Sequence, residues 1–444
     1  MRVLLILASD NTYRHGAFFY NKSLYAPLTL STLAALVPSE LEAEITLIDE
    51  GVQRLDYQAA HYDVVGITFT ASAAPRAYEL AAGFRARGSL VVLGGPHATL
   101  NPEEAAEHGV VVAGYAEEAW PELLRRHRAG QPLERIYRAP VLPKVTVEPR
   151  RDLIPGGIYL TKDTVIASRG CVRRCEFCAI HAMYGSDPGA RPVGEVVDEI
   201  KRLQAGGARK ILFLDPNLIN NRREAKELFS ALIPLGIKWR GLATIDFVDD
   251  EELLELVVRS GCYGLLFGFE TMSQANMSLS NKQFAKVAAY KDTVARLHER
   301  AIRVLGCFVL GFDEDTPDTF EGTISFLEEI QVDLVRFACL TPYPGTELFA
   351  RLDREGRILT RDWSLYDTEH VVFQPAQMSP EELQEGYRRT WREWYTLRRI
   401  GRRALWRGLS GDAVTSLLGN LIFKYHFPTS KHRKAEAPPA AVGV

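Results

Sequence analysis

The chain has 444 residues, of which 46% are hydrophobic and 25% charged, the composition of a globular protein. At ~150 residues per domain this length divides into two or three domains, each able to bury a core. A net charge of −3 speaks against a general nucleic-acid binder, and no apolar run reaches the ~18 residues of a membrane span. The six cysteines do not make a disulfide framework. The apolar stretch after Met1 is too short for a signal peptide and reads as a buried strand, so the expected location is cytoplasmic.

In chain order, Val3–Ala8, Ile45–Ile48, Val64–Phe69, Leu90–Leu93 and Val110–Ala113 are Val-, Ile- and Leu-rich runs with little alternation. Such runs suit strands buried on both faces of a parallel sheet. Helical stretches lie between them, near Leu28–Leu36, Ala74–Arg87, Pro102–Glu107 and Ala116–Arg128. The expected α/β unit over residues 1–145 is a doubly wound, Rossmann-like (flavodoxin-like) sheet with a ligand crevice at the strands' carboxyl ends. A proline-rich stretch marks a linker, placed at 146–162.

A second alternating series occupies 163–345, with strands at Val165–Ser168, Lys210–Leu214, Lys238–Ala243, Tyr263–Phe269, Ile302–Leu310 and Asp333–Leu340. Six repeats predict a partial (β/α)6 barrel of the TIM type, with its site at the carboxyl ends of the strands. Residues 346–430 read as a C-terminal helical region and 431–444 as a flexible tail. Between 386 and 410 there are eight Arg and one Glu, and Leu383, Tyr387, Trp391, Trp394 and Tyr395 follow a helical spacing. A basic amphipathic helix there admits peripheral contact with a membrane surface, or equally a solvated face whose aromatics pack on the barrel.

Cys171, Cys175 and Cys178 stand four and then three apart, just after the first barrel strand. Thiolates are soft ligands that favour iron–sulfur clusters or zinc. Three ligands on a four-iron cluster leave one iron open for a substrate or cofactor. His181 follows three residues later, so a closed Cys3His zinc site is the competing reading. Cys262, Cys307 and Cys339 are scattered and read as small core residues, Cys339 standing at the mouth of the last strand.

The Cys-x3-Cys-x2-Cys spacing, with Phe177 before the last cysteine, resembles the signature of the radical S-adenosylmethionine enzymes. The resemblance implies a [4Fe-4S] cluster on Cys171, Cys175 and Cys178, with S-adenosyl-L-methionine chelated by the open iron. Phe213–Asn217 stands where that family binds the methionine amino group, implicating Asp215 and Asn217, though it departs from the common Gly-Gly-Glu form. Phe267–Glu270 is similar to the element whose carboxylate, here Glu270, holds the ribose hydroxyls. Lys282 follows at a matching spacing, and would otherwise be a solvated surface lysine. Val309 lies in the strand expected against adenine.

In the N-terminal part, Tyr62–Ile67, Leu93–Thr99 and Gly114–Glu117 resemble the cobalamin-binding domain that precedes many radical S-adenosylmethionine domains. Thr68, Thr70, Gly94, Gly95, His97, Gly114 and Glu117 are the implied cobalamin contacts. Tyr115 and Ala116 depart from the family's Gly-Glu-Gly-Glu. The loop Asp-x-His-x-x-Gly is absent, so the cofactor's dimethylbenzimidazole tail is expected off the cobalt, with no histidine as lower ligand.

Motifs from Asp313 to Leu383 are similar to the cobalamin-dependent methylases near the hopanoid methylases. That resemblance implies methyl transfer to an unactivated carbon of a lipid or natural product, by way of methylcobalamin and a 5′-deoxyadenosyl radical. It further implies a small-molecule or lipid substrate and a reductant such as flavodoxin or ferredoxin. Two alternatives remain open from the sequence: a radical enzyme doing oxidative cyclisation or rearrangement, and a non-catalytic zinc-bound scaffold.

Overall fold

The computed structural model describes residues 1–9, 25–53, 61–139, 147–406 and 417–425; the expected tail at 431–444 lies outside them. The N-terminal strands are β1 (Arg2–Leu7), β2 (Glu44–Asp49), β3 (Val64–Thr68), β4 (Leu90–Gly94), β5 (Val110–Gly114) and β6 (Ile136–Ala139). They form a parallel sheet in the order β2-β1-β3-β4-β5-β6. This is the flavodoxin-like order extended by one strand, with its switch point between β1 and β3.

Alternate residues of each strand enter two different cores. Leu4 and Ile6 pack with Val65, Leu80 and Leu93, whereas Val3 and Leu5 pack with Leu30, Val92 and Trp120. Burial on both faces is why the strands carry no polar alternation. β6 was not foreseen as a strand. Its sequence, Ile-Tyr-Arg-Ala, has the mixed polarity of an edge strand half open to water.

The second body begins at β7 (Thr164–Val165). A short antiparallel pair, β8 (Ser168–Arg169) and β9 (Gly189–Ala190), brackets the cysteine loop. Then come β10 (Lys210–Phe213), β11 (Lys238–Leu242), β12 (Cys262–Glu270), β13 (Arg303–Leu310) and β14 (Leu334–Cys339). Their order, β14-β13-β12-β11-β10-β7, is parallel throughout and gives the expected six-stranded partial barrel. Phe213, Trp239, Phe267 and Phe308 face the outer helices and are fully buried. Leu212, Leu242, Leu266, Leu305 and Val309 stand on the opposite face of their strands, half-buried, and form the wall of an open lumen.

The basic C-terminal stretch forms two helices, Pro380–Trp394 and Leu397–Trp406. The first opens on a capping box between Ser379 and Glu382. Its aromatic side, Leu383, Tyr387, Trp391 and Trp394, is buried against the barrel, and Arg389 and Arg392 are exposed. Among the described residues, no helix is long and apolar enough to cross a membrane.

Buried polar ties join the pieces. Glu199 accepts from both Arg151, in the stretch before β7, and Arg191 (2.6 Å). Trp363, from the C-terminal region, donates its indole N–H to Glu104 of the N-terminal body at 3.0 Å. The same carboxylate accepts from Tyr78 at 2.8 Å and Asn101 at 2.7 Å and lies 3.4 Å from His97. Burial opposes its ionisation, yet bonds from His97, Tyr78 and Trp363 hold it at about 2, below the ordinary 4.5. A depressed carboxyl stabilises the fold above its unfolded pKa, and that contribution disappears as pH falls from about 4.5 towards 2. Glu104→Gln should therefore flatten the loss of stability across this window, read by intrinsic fluorescence in an acid titration. An unchanged acid slope would contradict the tie.

Candidate active site

The cysteine loop leaves β8 through Gly170, whose backbone sits at φ +80, in the left-handed region that favours glycine. A Cβ there would come within 3.3 Å of Pro188 Cα. The Arg173 amide donates to the Cys171 sulfur at 3.5 Å, and Asn217 Nδ2 does so at 3.9 Å. Cys178 precedes the helix Ala179–Tyr184, whose first amides offset part of the burial that raises its thiol. Cys175 is buried, and burial pushes its thiol up to about 12, opposed chiefly by the Lys282 ammonium. Such thiols need a metal's charge to ionise, which is what iron supplies.

The donor set fits a cluster better than one ion. Three soft thiolates on one short loop suit a cubane cluster that leaves one iron open, whereas a structural zinc ion needs a closed set of four ligands.

The sequence-predicted residues divide into several groups. Asp215 is wholly buried and accepts from the Ala167 amide (3.1 Å), the Ser168 amide and the Ser168 hydroxyl (2.8 Å). Burial pushes its carboxyl up to about 6. Both oxygens are used inside the protein, so Asp215 positions the strand that leads into the cysteines instead of facing a ligand. Asn217 also works inward, its Oδ1 accepting from the Ile219 (3.1 Å) and Thr244 (3.4 Å) amides.

Glu270 ends β12 at a register shift and holds φ 60, a strained value for a side-chain-bearing residue. It pairs with Lys282, and both side chains are about nine-tenths buried. Lys282 is therefore not a surface lysine. Burial would lower it, but Glu270 and then Cys175 hold it above its ordinary value. Gly268 leaves room for the pair, since a Cβ would fall on Glu270 Oε1 and within 2.7 Å of Lys282 Nζ. Val309 lies on the lumen side of β13, as does half-buried Cys307, paired in register with Gly268. Cys262 and Cys339 are core residues.

A cleft of about 340 Å³ joins the two bodies, within the ~300–1,000 Å³ typical of small-ligand pockets. Ile166, Ser168, Arg169, Gly170, Leu214 and Pro216 form its barrel side. Thr68, Gly94, Gly95, Gly114, Tyr115 and Glu117 form its sheet side. It runs down to an apolar slot between Leu5, Leu33, Leu36, Val92, Val112 and Trp120. Gly95, at φ +89, allows close backbone approach, since a Cβ would collide with Thr68 Oγ1. Glu117 is ion-paired with Arg169, two residues before Cys171.

Two expected cobalamin contacts lie elsewhere. His97 is buried among Phe69, Tyr78 and Trp363 and serves the Glu104 tie. Thr70 faces Ser72, its Oγ1 3.3 Å from the Ser72 hydroxyl.

Sequence reasoning missed Arg351, whose guanidinium donates to Glu176 Oε1 at 2.7 Å and Asp313 at 2.7 Å. Glu176 sits between Cys175 and Cys178, so the helix Glu347–Arg354 grips the loop from outside. Arg351→Ala should leave the initial iron content of reconstituted protein near that of the parent. Loss of iron to a chelator should become several-fold faster, followed by visible absorbance; equal rates would show that the grip is immaterial.

Family models match in three places: the radical SAM superfamily over residues 165–327, a B12 binding domain over 25–124, and a domain of unknown function (DUF4070) over 346–407. The chain is 30% identical to bacteriochlorophyllide d C-12(1)-methyltransferase of Chlorobaculum tepidum across 83% of this chain and 82% of that protein. It is 27% identical to the hopanoid C-2 methylase of Rhodopseudomonas palustris across 61% of this chain and 54% of that protein. The fold matches the radical S-adenosylmethionine methyltransferase TsrM from Kitasatospora setae, solved with cobalamin and a [4Fe-4S] cluster bound. That match has a TM-score of 0.70 at 15% identity, covering 98% of this chain and all of the other. With the strand that leads into three cysteines facing a B12-type sheet across one cleft, the chain belongs to the cobalamin-binding radical S-adenosylmethionine enzymes, whose cofactors are a [4Fe-4S] cluster, S-adenosylmethionine and cobalamin.

Proposed function

We propose that the protein methylates an unactivated carbon of a hydrophobic small molecule. One observation carries this reading: a single cleft is walled on one side by the loops of the B12-type sheet and on the other by the strand that leads into Cys171. When bound, the cofactors supply a 5′-deoxyadenosyl radical from one S-adenosylmethionine and a methyl group from another, and the protein's part is placement and exclusion of water.

Cys171, Cys175 and Cys178 hold the cluster in this reading. Glu270 accepts the ribose hydroxyls, with Lys282 fixing its carboxylate, and Val309 lies against the adenine. Thr68, Gly94, Gly95, Gly114 and Glu117 face the corrin ring. The apolar slot beneath Gly94 suits the dimethylbenzimidazole tail released from cobalt, which supports the base-off state. The half-buried leucines of the lumen favour an apolar substrate. The relatives named above act on bacteriochlorophyllide d and a hopanoid, both with extended apolar skeletons. An electron must come from a protein reductant such as flavodoxin or ferredoxin.

The test is anaerobic reconstitution with iron, sulfide and hydroxocobalamin, then turnover of methyl-labelled S-adenosylmethionine with tetrapyrrole and hopanoid acceptors. About four irons and one cobalt per chain are expected, with a labelled methyl in the product and no cleavage in Cys175→Ala. Cleavage retained in that variant would overturn the assignment, and cleavage without methyl gain would move the chemistry to cyclisation or rearrangement. A base-off cofactor predicts a cob(II)alamin EPR spectrum without nitrogen superhyperfine splitting. For the Glu270–Lys282 pair, Gly268→Ala should weaken S-adenosylmethionine binding at least ~10-fold with iron content unchanged, since even one misdirected charged hydrogen bond is worth that much.

A further inference from the structure

Among the described residues of the sheet-side loops, Tyr115 presents a large polar side chain to the cleft and leaves its hydroxyl unused. It follows Gly114, which holds φ +97. Its amide donates to the Ala139 carbonyl at 2.8 Å, and the Gly114 amide donates to Thr99 Oγ1 at 3.0 Å. The backbone is therefore pinned from both β6 and the helix Pro96–Leu100. The ring packs 4.8 Å from that of Tyr184, the last residue of the helix that begins after Cys178.

The side chain is 4% exposed, and its hydroxyl has no hydrogen-bond partner. A buried hydroxyl without a partner is destabilising, and phenylalanine would pack the same ring without that penalty. The nearby polar groups do not meet the hydroxyl: Arg169 is engaged with Glu117, and Tyr184 offers its ring. A ligand in the cleft that Tyr115 lines can supply the partner.

Position identifies which ligand. Tyr115 stands beside Gly94, Gly95 and Gly114 at the carboxyl edge of the B12-type sheet, whereas the Glu270–Lys282 pair belongs to the barrel, lies near Cys175 and does not line this cleft. The sheet-side wall below it is mainly aliphatic or aromatic, with Thr29, Thr32 and Thr68 as its other hydroxyl donors, and a corrin ring carries a rim of carboxamide groups that need donors. We propose that the Tyr115 hydroxyl is an anchor for the corrin rim, donating a hydrogen bond to one of its carboxamide oxygens. This rests on the cobalamin-dependent reading above. It also gives the Tyr115–Tyr184 contact a role: the side chain that holds the corrin packs on the helix that leaves the cluster.

The test uses full-length protein carrying its cluster, titrated anaerobically with hydroxocobalamin. Tyr115→Phe should bind the cofactor about tenfold more weakly, as expected for one net hydrogen bond in a dry site. Iron content and S-adenosylmethionine affinity should stay at the parent's level. A cobalamin affinity within twofold of the parent would overturn the assignment, as would a loss confined to S-adenosylmethionine. Tyr115→Leu, which also removes the ring, should weaken cobalamin binding further and accelerate iron loss to a chelator. Failure of the unaltered protein to take up cobalamin would instead overturn the functional reading itself.

Discussion

Beside the stretch that leads into the three cysteines, a carboxylate lies where water cannot reach it. Asp215, just past the end of β10, accepts the amides of Ala167 and Ser168 and the Ser168 hydroxyl. Those bonds fix the strand that runs from β7 to Gly170, and so fix where the three cysteines begin. The same stretch supplies Ile166, Ser168 and Arg169 to the wall of the cleft, and Arg169 reaches across to Glu117 of the other sheet. A buried acceptor with several donors has one arrangement and no cheap alternative. The cluster loop, the cleft wall and the bridge between the bodies therefore inherit their geometry from one side chain.

Much of this was legible in the sequence, and what was not shares a physical cause. Parallel strands buried on both faces write themselves as Val-, Ile- and Leu-rich runs, so β1 to β5 could be read locally, and the barrel strands could be read from their regular alternation with helical stretches. The cysteine spacing was equally local. β6 escaped because an edge strand open to water has no such run. Lys282 could be picked out only through the family spacing and otherwise reads as a surface residue, because its partner lies 12 positions back at a bulge and nothing in the intervening sequence signals burial. Arg351 meets Glu176 across 175 residues. His97 and Asp215 carry polar side chains at strand ends, which suggests ligands, yet Asp215 spends both oxygens on the protein itself and His97 turns its Nε2 to Glu104. Long-range pairing decides those cases, and single positions do not encode it.

The C-terminal region supplies the remaining constraint. A cleft between two bodies is only as well defined as the ties that set its width. Trp363 binds Glu104 of the N-terminal body, and Arg351 binds Glu176 of the cysteine loop. Gly345, at φ +76, lies so close to Leu100 that a Cβ would come within 3.1 Å of its side chain. These contacts come from one stretch of chain and touch the two bodies on either side of the cleft. Their individual energies are modest, about 1 kcal/mol for a partly buried hydrogen bond. They act on a distance, however, and methyl transfer between two cofactors is sensitive to distance before anything else. The region after the barrel therefore works as a clamp. It ties the cluster loop and the B12-type sheet to one stretch of chain, and so sets the width of the cleft between them.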